Sequence, residues 1–276
     1  MPSINNPYLR PMIASEIFAA AFRLFRDHLT LLVMVGLVPH AVLALLLMAL
    51  PLDPQISQSG AVAFIGGLIV TLIILNGLVL TALTVATAAL ALGEEPTLLE
   101  VYRRTLRAKP VGMMVAFLIV NFPVSLLLLT GLRSGNLVLF VLFLALALYL
   151  GGLLFPALAI VIVERAWFPK AIYRSISLGR VVWARAVGVF SFFLLISVFF
   201  PMLLLMLLIA GQVNISGPLM PLLGGIISAV TLPLGFIAIV LFYFSLRSAD
   251  DQHIAALRTA LEGLGKEKAV PPANGD

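Results

Sequence analysis

Few side chains in this sequence can do chemistry, and their positions narrow what that chemistry is. His40, beside Pro39, is the one ionisable group placed well inside an apolar run. Proline removes an N–H and frees the carbonyl one turn earlier, which an imidazole or a water can then engage. Ionisable groups inside a membrane are candidate sites by default. Asn76 and Asn121 stand within two other apolar runs, where a carboxamide bonds across helices or lines a polar cavity. His40, Asn76 and Asn121 therefore form a candidate intramembrane polar site. The plainer reading is a packed, backbone-bonded histidine and two asparagines that join helices.

The second set is basic. Arg103, Arg104 and Arg107 form one cluster, and Lys170, Arg174, Arg180 and Arg185 form another. Both recur at helical spacing opposite apolar residues. That pattern suits contact with anionic lipid headgroups, worth about 1 kcal/mol per charge near the surface, or with a membrane-protein partner. The competing reading is a topology signal alone. Glu94-Glu95 are paired carboxylates, but at the start of a helix, where the dipole favours acids. His28, His40 and His253 are scattered and there is no cysteine, so no metal-ligand spacing and no thiolate nucleophile is present. Neither a catalytic triad nor a phosphate loop is legible. The expectation is no enzyme activity, no cofactor and no nucleic-acid partner.

The elements that must hold these groups are apolar. Hydrophobic residues make up 62% and charged residues 11% of the 276, and the mean hydropathy is +1.16. A water-soluble domain of this size needs more polar surface than that. An all-α membrane protein is expected. Residues 1–13, with Pro2, Pro7 and Pro11, read as an irregular leader. A single membrane domain, 14–264, follows, and 265–276 read as a disordered tail. Charge reaches Asp27 with no short apolar core and cleavage site ahead of it, so the first span is expected to stay in the mature protein.

Six spans are expected, at about 29–50, 61–92, 111–130, 137–163, 186–210 and 219–246, each long enough for a core of about 30 Å. Prolines 39, 123, 156, 201 and 233 interrupt them. The threonine-rich end of the second span (Thr81, Thr84, Thr87) is expected to tilt or to project past the bilayer core. The glycine pairs 66–67, 151–152 and 224–225 suit close helix approach.

Amphipathic helices precede the odd spans. The first covers residues 14–28, with Ser15 as N-cap and an apolar line through Ile17, Ala21, Leu24 and His28. In 97–109, Leu98, Leu99, Val101, Tyr102 and Leu106 share one face, and Glu100, Arg103, Arg104 and Arg107 the other. In 167–185, Phe168, Ile172, Ile176 and Gly179 lie opposite Lys170, Arg174 and Ser177. A further amphipathic helix is expected over 249–264.

Of 17 Lys and Arg, only Arg133 follows an odd span. The positive-inside rule therefore puts both termini in the cytoplasm, and a bacterial inner membrane is the expected location. The order basic helix, proline-broken span, short loop, second span occurs three times. Phe22-Arg23, Tyr102-Arg103 and Tyr173-Arg174 can be set in register. This implies three hairpins about a pseudo-threefold axis, although any six-span chain with basic inner loops is periodic.

Glu164, Arg174-Ser175, Leu178-Gly179, Tyr243 and Leu246-Arg247 resemble the membrane domain associated with glycerophosphodiester phosphodiesterases. Ile176 and Ser245 depart from that pattern, where an aromatic and an acidic residue are common. The resemblance implies a standalone six-span domain. Phosphodiesterase activity is not implied, since that chemistry belongs to a separate metal-binding barrel. The function expected is membrane organisation or regulation through lipid or partner contact, with transport of a small or lipid-like solute past His40 as the alternative.

Overall fold

A computed structural model describes residues 7–49, 58–108, 110–211, 219–247 and 259. Among them there is no strand. The helices are α1 (Ala14–Asp27), α2 (Leu29–Ala49), α3 (Gln58–Ala91), α4 (Leu98–Arg107), α5 (Pro110–Arg133) and α6 (Leu137–Leu154). They continue as α7 (Pro156–Val163), α8 (Phe168–Val181), α9 (Trp183–Leu194), a π-helical segment (Leu195–Phe199), α10 (Phe200–Ala210) and α11 (Leu219–Arg247). The helix expected over 249–264 lies outside the described residues, apart from Thr259. The expected loop 51–60 and tail 265–276 fall there wholly or largely as well.

Four stretches are long and apolar enough to cross a membrane: Ile73–Ala91, Leu137–Val163, Trp183–Leu208 and Leu223–Arg247. Leu29–Val42 and Phe117–Arg133 are shorter apolar helices. The chain is therefore an all-helical protein with helices suited to a membrane.

The prolines shape these helices in different ways. Pro39, Pro123 and Pro233 sit inside continuous helices. The expected fourth span is instead two helices, because Pro156 cannot continue the hydrogen-bond ladder and α7 restarts after Phe155. In the fifth, the wider π segment immediately precedes Pro201 and takes up the mismatch that proline imposes.

The core is built from the second half of α3, all of α7 and the second half of α11. Residues 79–91, 156–163 and 233–245 are buried throughout, and each of these helices packs against the other two. Thr81, Thr84 and Thr87 lie in this core. Thr81 and Thr84 donate to their own helix carbonyls, Gly77 O at 2.6 Å and Leu80 O at 2.8 Å, which removes the cost of burying a hydroxyl. Around the core, α2 packs on α11 and α3, α5 on α3, α6 and α7, and α9 on α6 and α11.

Close approaches fall at glycines. A Cβ on Gly36 would lie 2.9 Å from Ala229 O, and one on Gly152 would lie 2.9 Å from the Ala186 carbonyl carbon and Val187 N. Those contacts are with backbone, so only a residue without a side chain fits. A Cβ on Gly225 would lie 3.4 Å from His40 Cβ, ordinary van der Waals contact. Of the expected glycine pairs, 66–67 has no described side-chain environment.

The short helices lie at the ends of the core helices. Gly93, at φ 82°, stops α3. Glu94 N–H then bonds Ala89 O and Gly93 N–H bonds Leu90 O, both at 3.0 Å, the paired bonds of a Schellman stop. α4 packs on α3, α2 and α5. α8 packs on α7, α6, α5 and α9, and α1 on α11, α9 and α2. In each case the short helix rests on one core helix and on outer helices to either side.

Candidate functional site

α4 and α8 present the same frame seventy residues apart. Their N-caps are Thr97 and Trp167. Four and eight residues on, Val101 and Thr105 are buried in α4, and Ala171 and Ser175 in α8. Ten residues separate Glu94 from Arg104, paired at 2.6 Å, and the same ten separate Glu164 from Arg174, paired at 2.7 Å. In both, an acid just past a core helix holds the short helix that follows. α1 shares the burial pattern, with N-cap Ile13 and buried Ile17 and Ala21.

This replaces the expected register. Phe22, Tyr102 and Tyr173 are not equivalent positions, because burial four and eight residues after the cap sets the frame and puts Arg104 opposite Arg174. Ser15 is not the cap of α1 either: the helix starts at Ala14, and Glu16 Oε2 accepts the Ile13 N–H at 3.0 Å.

The faces differ from the expected ones for the same reason. In α8 the fully buried line is Ala171, Ser175 and Gly179, while Phe168, Ile172 and Ile176 are half-buried. Small side chains win that line because α8 sits close to the broken end of α6. Ser175 Oγ donates to Leu153 O at 2.6 Å, and a Cβ on Gly179 would meet Leu153 Cδ2 at 2.9 Å. In α4 the expected apolar face is divided: Val101 is buried, whereas Leu99 and Leu106 are 79% and 67% exposed and flank exposed Arg103.

The cations divide. Arg104, Arg174 and Arg185, all expected at the headgroups, are engaged within the protein. Glu164 gathers the largest cluster. Its Oε2 pairs with Arg174 Nη1 at 2.7 Å and its Oε1 accepts the Tyr243 hydroxyl at 2.8 Å, while Arg247 Nε stands 3.5 Å from Oε1 as an ion pair. Its side chain is only 10% exposed. Arg185 Nη1 donates to Met12 O at 2.6 Å, and its guanidinium lies over the Phe242 ring at 5.5 Å. Ser245 Oγ accepts the Met12 N–H at 2.8 Å. Together, α9 and α11 hold the leader by both polar groups of one peptide residue.

Lys170 and Arg180 are exposed instead. Between them Tyr173 is 78% exposed, and Trp167 and Trp183 stand out at either end of α8. Trp167, Lys170, Tyr173 and Arg180 follow spacings of three and seven, which is one helix face. Lys170 occupies the place that Glu100 holds in α4. Glu100 closes a capping box there, taking the Thr97 N–H at 2.8 Å, and that bond pulls its carboxyl below the usual range. A lysine in a first turn opposes the helix dipole, so Lys170 is not placed for helix stability.

The polar groups inside the bundle only partly converge. Val35 O, the carbonyl that Pro39 frees, accepts the Tyr102 hydroxyl at 2.8 Å, and burial pushes that phenol up to about 12. His40 does not reach Val35 O. Its Nδ1 stands 2.7 Å from Gly36 O. His40 and Asn76 do line one small cavity, with Pro39, Leu75 and Val79. Asn121 is not among its lining residues, and its Nδ2 is buried without a partner. Among the described residues no group of acids and histidines is arranged to hold a metal.

No protein-family model, curated protein or solved structure matches this chain. The resemblance therefore rests on its short motifs, whose Glu164, Arg174, Tyr243 and Arg247 meet in one cluster. Arg174, expected at the headgroups, is turned inward, and Tyr102, Ser175 and Met12 are bonding partners that helical periodicity does not mark. The equal ten-residue spacing of Glu94–Arg104 and Glu164–Arg174 was the signal that could have found the inward pairs.

Proposed function

We propose that this chain is a non-enzymatic integral membrane protein that engages anionic lipid headgroups through the outer face of α8, in membrane organisation or regulation. The observation that carries this reading is the sorting of its cations. Arg104, Arg174 and Arg185 are committed to protein acceptors, whereas Lys170 and Arg180 share an exposed face with Trp167 and Tyr173. Aromatic rings at headgroup depth beside lysine and arginine are how a helix lies in an interface. α4 adds a smaller surface in Leu99, Arg103 and Leu106.

The same reading takes all six long apolar segments as spans of a bacterial inner membrane, with both termini cytoplasmic. It treats them as three hairpins about a pseudo-threefold axis. The mutual packing of α3, α7 and α11 supports the axis, as does the way each short helix rests on one core helix. The standalone phosphodiesterase-associated membrane domain stays the family we favour, on the motif residues alone.

The test uses the whole chain in nanodiscs that mix neutral and anionic lipid. Enrichment of anionic lipid around the protein, read by native mass spectrometry, is expected to fall at least threefold in Lys170→Glu/Arg180→Glu. Arg133→Glu, on the opposite side, is expected to leave it unchanged. Equal enrichment in all three proteins would sink the lipid reading, and a C-terminal reporter outside the cytoplasm would overturn the topology.

A further inference from the structure

The cavity beside Pro39 is independent of the lipid surface. It is lined by Pro39 and His40 of α2 and by Leu75, Asn76 and Val79 of α3, and offers about 10 Å³ to the centre of a water-sized sphere. One water needs about 10–15 Å³ on that measure, together with at least two polar partners. The walls are otherwise apolar, so any polar occupant must be held by His40 and Asn76.

Both can hold one. Gly36 O can only accept, so the ring nitrogen 2.7 Å from it, Nδ1, carries the proton and donates. In the neutral ring this leaves Nε2 as a lone-pair acceptor, and no described residue donates to it. Asn76 brings a carboxamide with two donors and an acceptor oxygen, so a bond made elsewhere does not exhaust it. On the other side α11 comes close: a Cβ added to Gly225 would stand 3.4 Å from His40 Cβ.

We propose that this cavity is a single-water site, in which the water donates to His40 Nε2 and accepts from the Asn76 amide. It bridges α2 to α3 one residue after Pro39 interrupts the α2 ladder.

The test is solid-state NMR on the full chain in lipid, with ¹⁵N-labelled histidine. Expected are the Nδ1–H tautomer for His40 and magnetisation transfer from water to its ring. Asn76→Leu, which fills the cavity, is expected to cut that transfer at least fivefold and leave the tautomer unchanged. Asn76→Ser, which keeps a hydroxyl, is expected to retain most of it. An Nε2–H tautomer would overturn the proposal. So would a dry ring in the unaltered protein, or undiminished transfer in Asn76→Leu.

Discussion

α4 and α8 are built on one plan and turned to different ends. Each is capped three residues after an acid, pairs an arginine back to that acid, and buries the fourth and eighth residues after its cap. α4 is closed upon itself. Its capping box ties Glu100 to Thr97, and Tyr102 reaches up to Val35 O at the proline break of α2. α8 lacks the box, replaces the capping acid with Lys170, carries exposed Tyr173 and is flanked by exposed Trp167 and Trp183. The lesson is that local stability and surface chemistry trade places at equivalent positions. α8 gives up a favourable dipole contact, and the Glu164 that holds its Arg174 is itself held from α11 by Tyr243 and Arg247.

That comparison predicts unequal costs at equal positions. Glu164→Gln should destabilise by about 3 kcal/mol, because it removes the charge that Arg174 and Arg247 face at a nearly buried site. Glu94→Gln, at a more exposed pair, should cost about 1 kcal/mol or less. Thermal unfolding in detergent measures both, and equal losses would break the distinction.

The two hydroxyl contacts should instead match. Tyr102→Phe and Ser175→Ala each leave a carbonyl near a proline break unserved, at about 1–2 kcal/mol, read in the same melts. A negligible loss for either would mean that its carbonyl finds another donor.

Tyr102 also gives α4 a signature in pH. Its folded pKa, about 12, lies above the ordinary value of 10, so between these values the folded state holds the proton that the unfolded state has released. Stability therefore falls as pH rises from about 10 through 12. Tyr102→Phe is expected to blunt that fall and to remove the phenolate absorbance change near pH 12. An unchanged alkaline titration would place the phenol in water.

The smallest effect sharpens the comparison most. Lys170→Glu gives α8 the first-turn charge of α4, and should raise stability by a few tenths of a kcal/mol while weakening anionic-lipid enrichment. A loss of stability would show that Lys170 has a structural partner.

Much of this was legible without coordinates because membrane helices announce themselves by composition. Apolar runs, the Gly93 stop and the proline positions are local facts. The candidate sites were legible only as membership. His40 and Asn76 share a cavity, but Asn121 lies apart. The two basic clusters were visible, but which cations face inward was not. A helical wheel with leucines on one side and arginines on the other assumes that polar means outward. Close packing at Gly152 and Leu153 reversed that for α8 by demanding small residues and pulling Arg174 onto Glu164.

By itself the sequence determined that the chain is helical and apolar enough for a membrane, and where charge accumulates along it. Those properties follow from nearest-neighbour backbone chemistry and from transfer of side chains out of water. Only the tertiary structure decided which arginines are held inward and which hydroxyls serve the proline breaks. It also decided that Met12 is gripped by residues 173 and 233 positions away. Partners that distant leave no periodic trace, since the bond depends on how the helices pack and not on spacing along the chain.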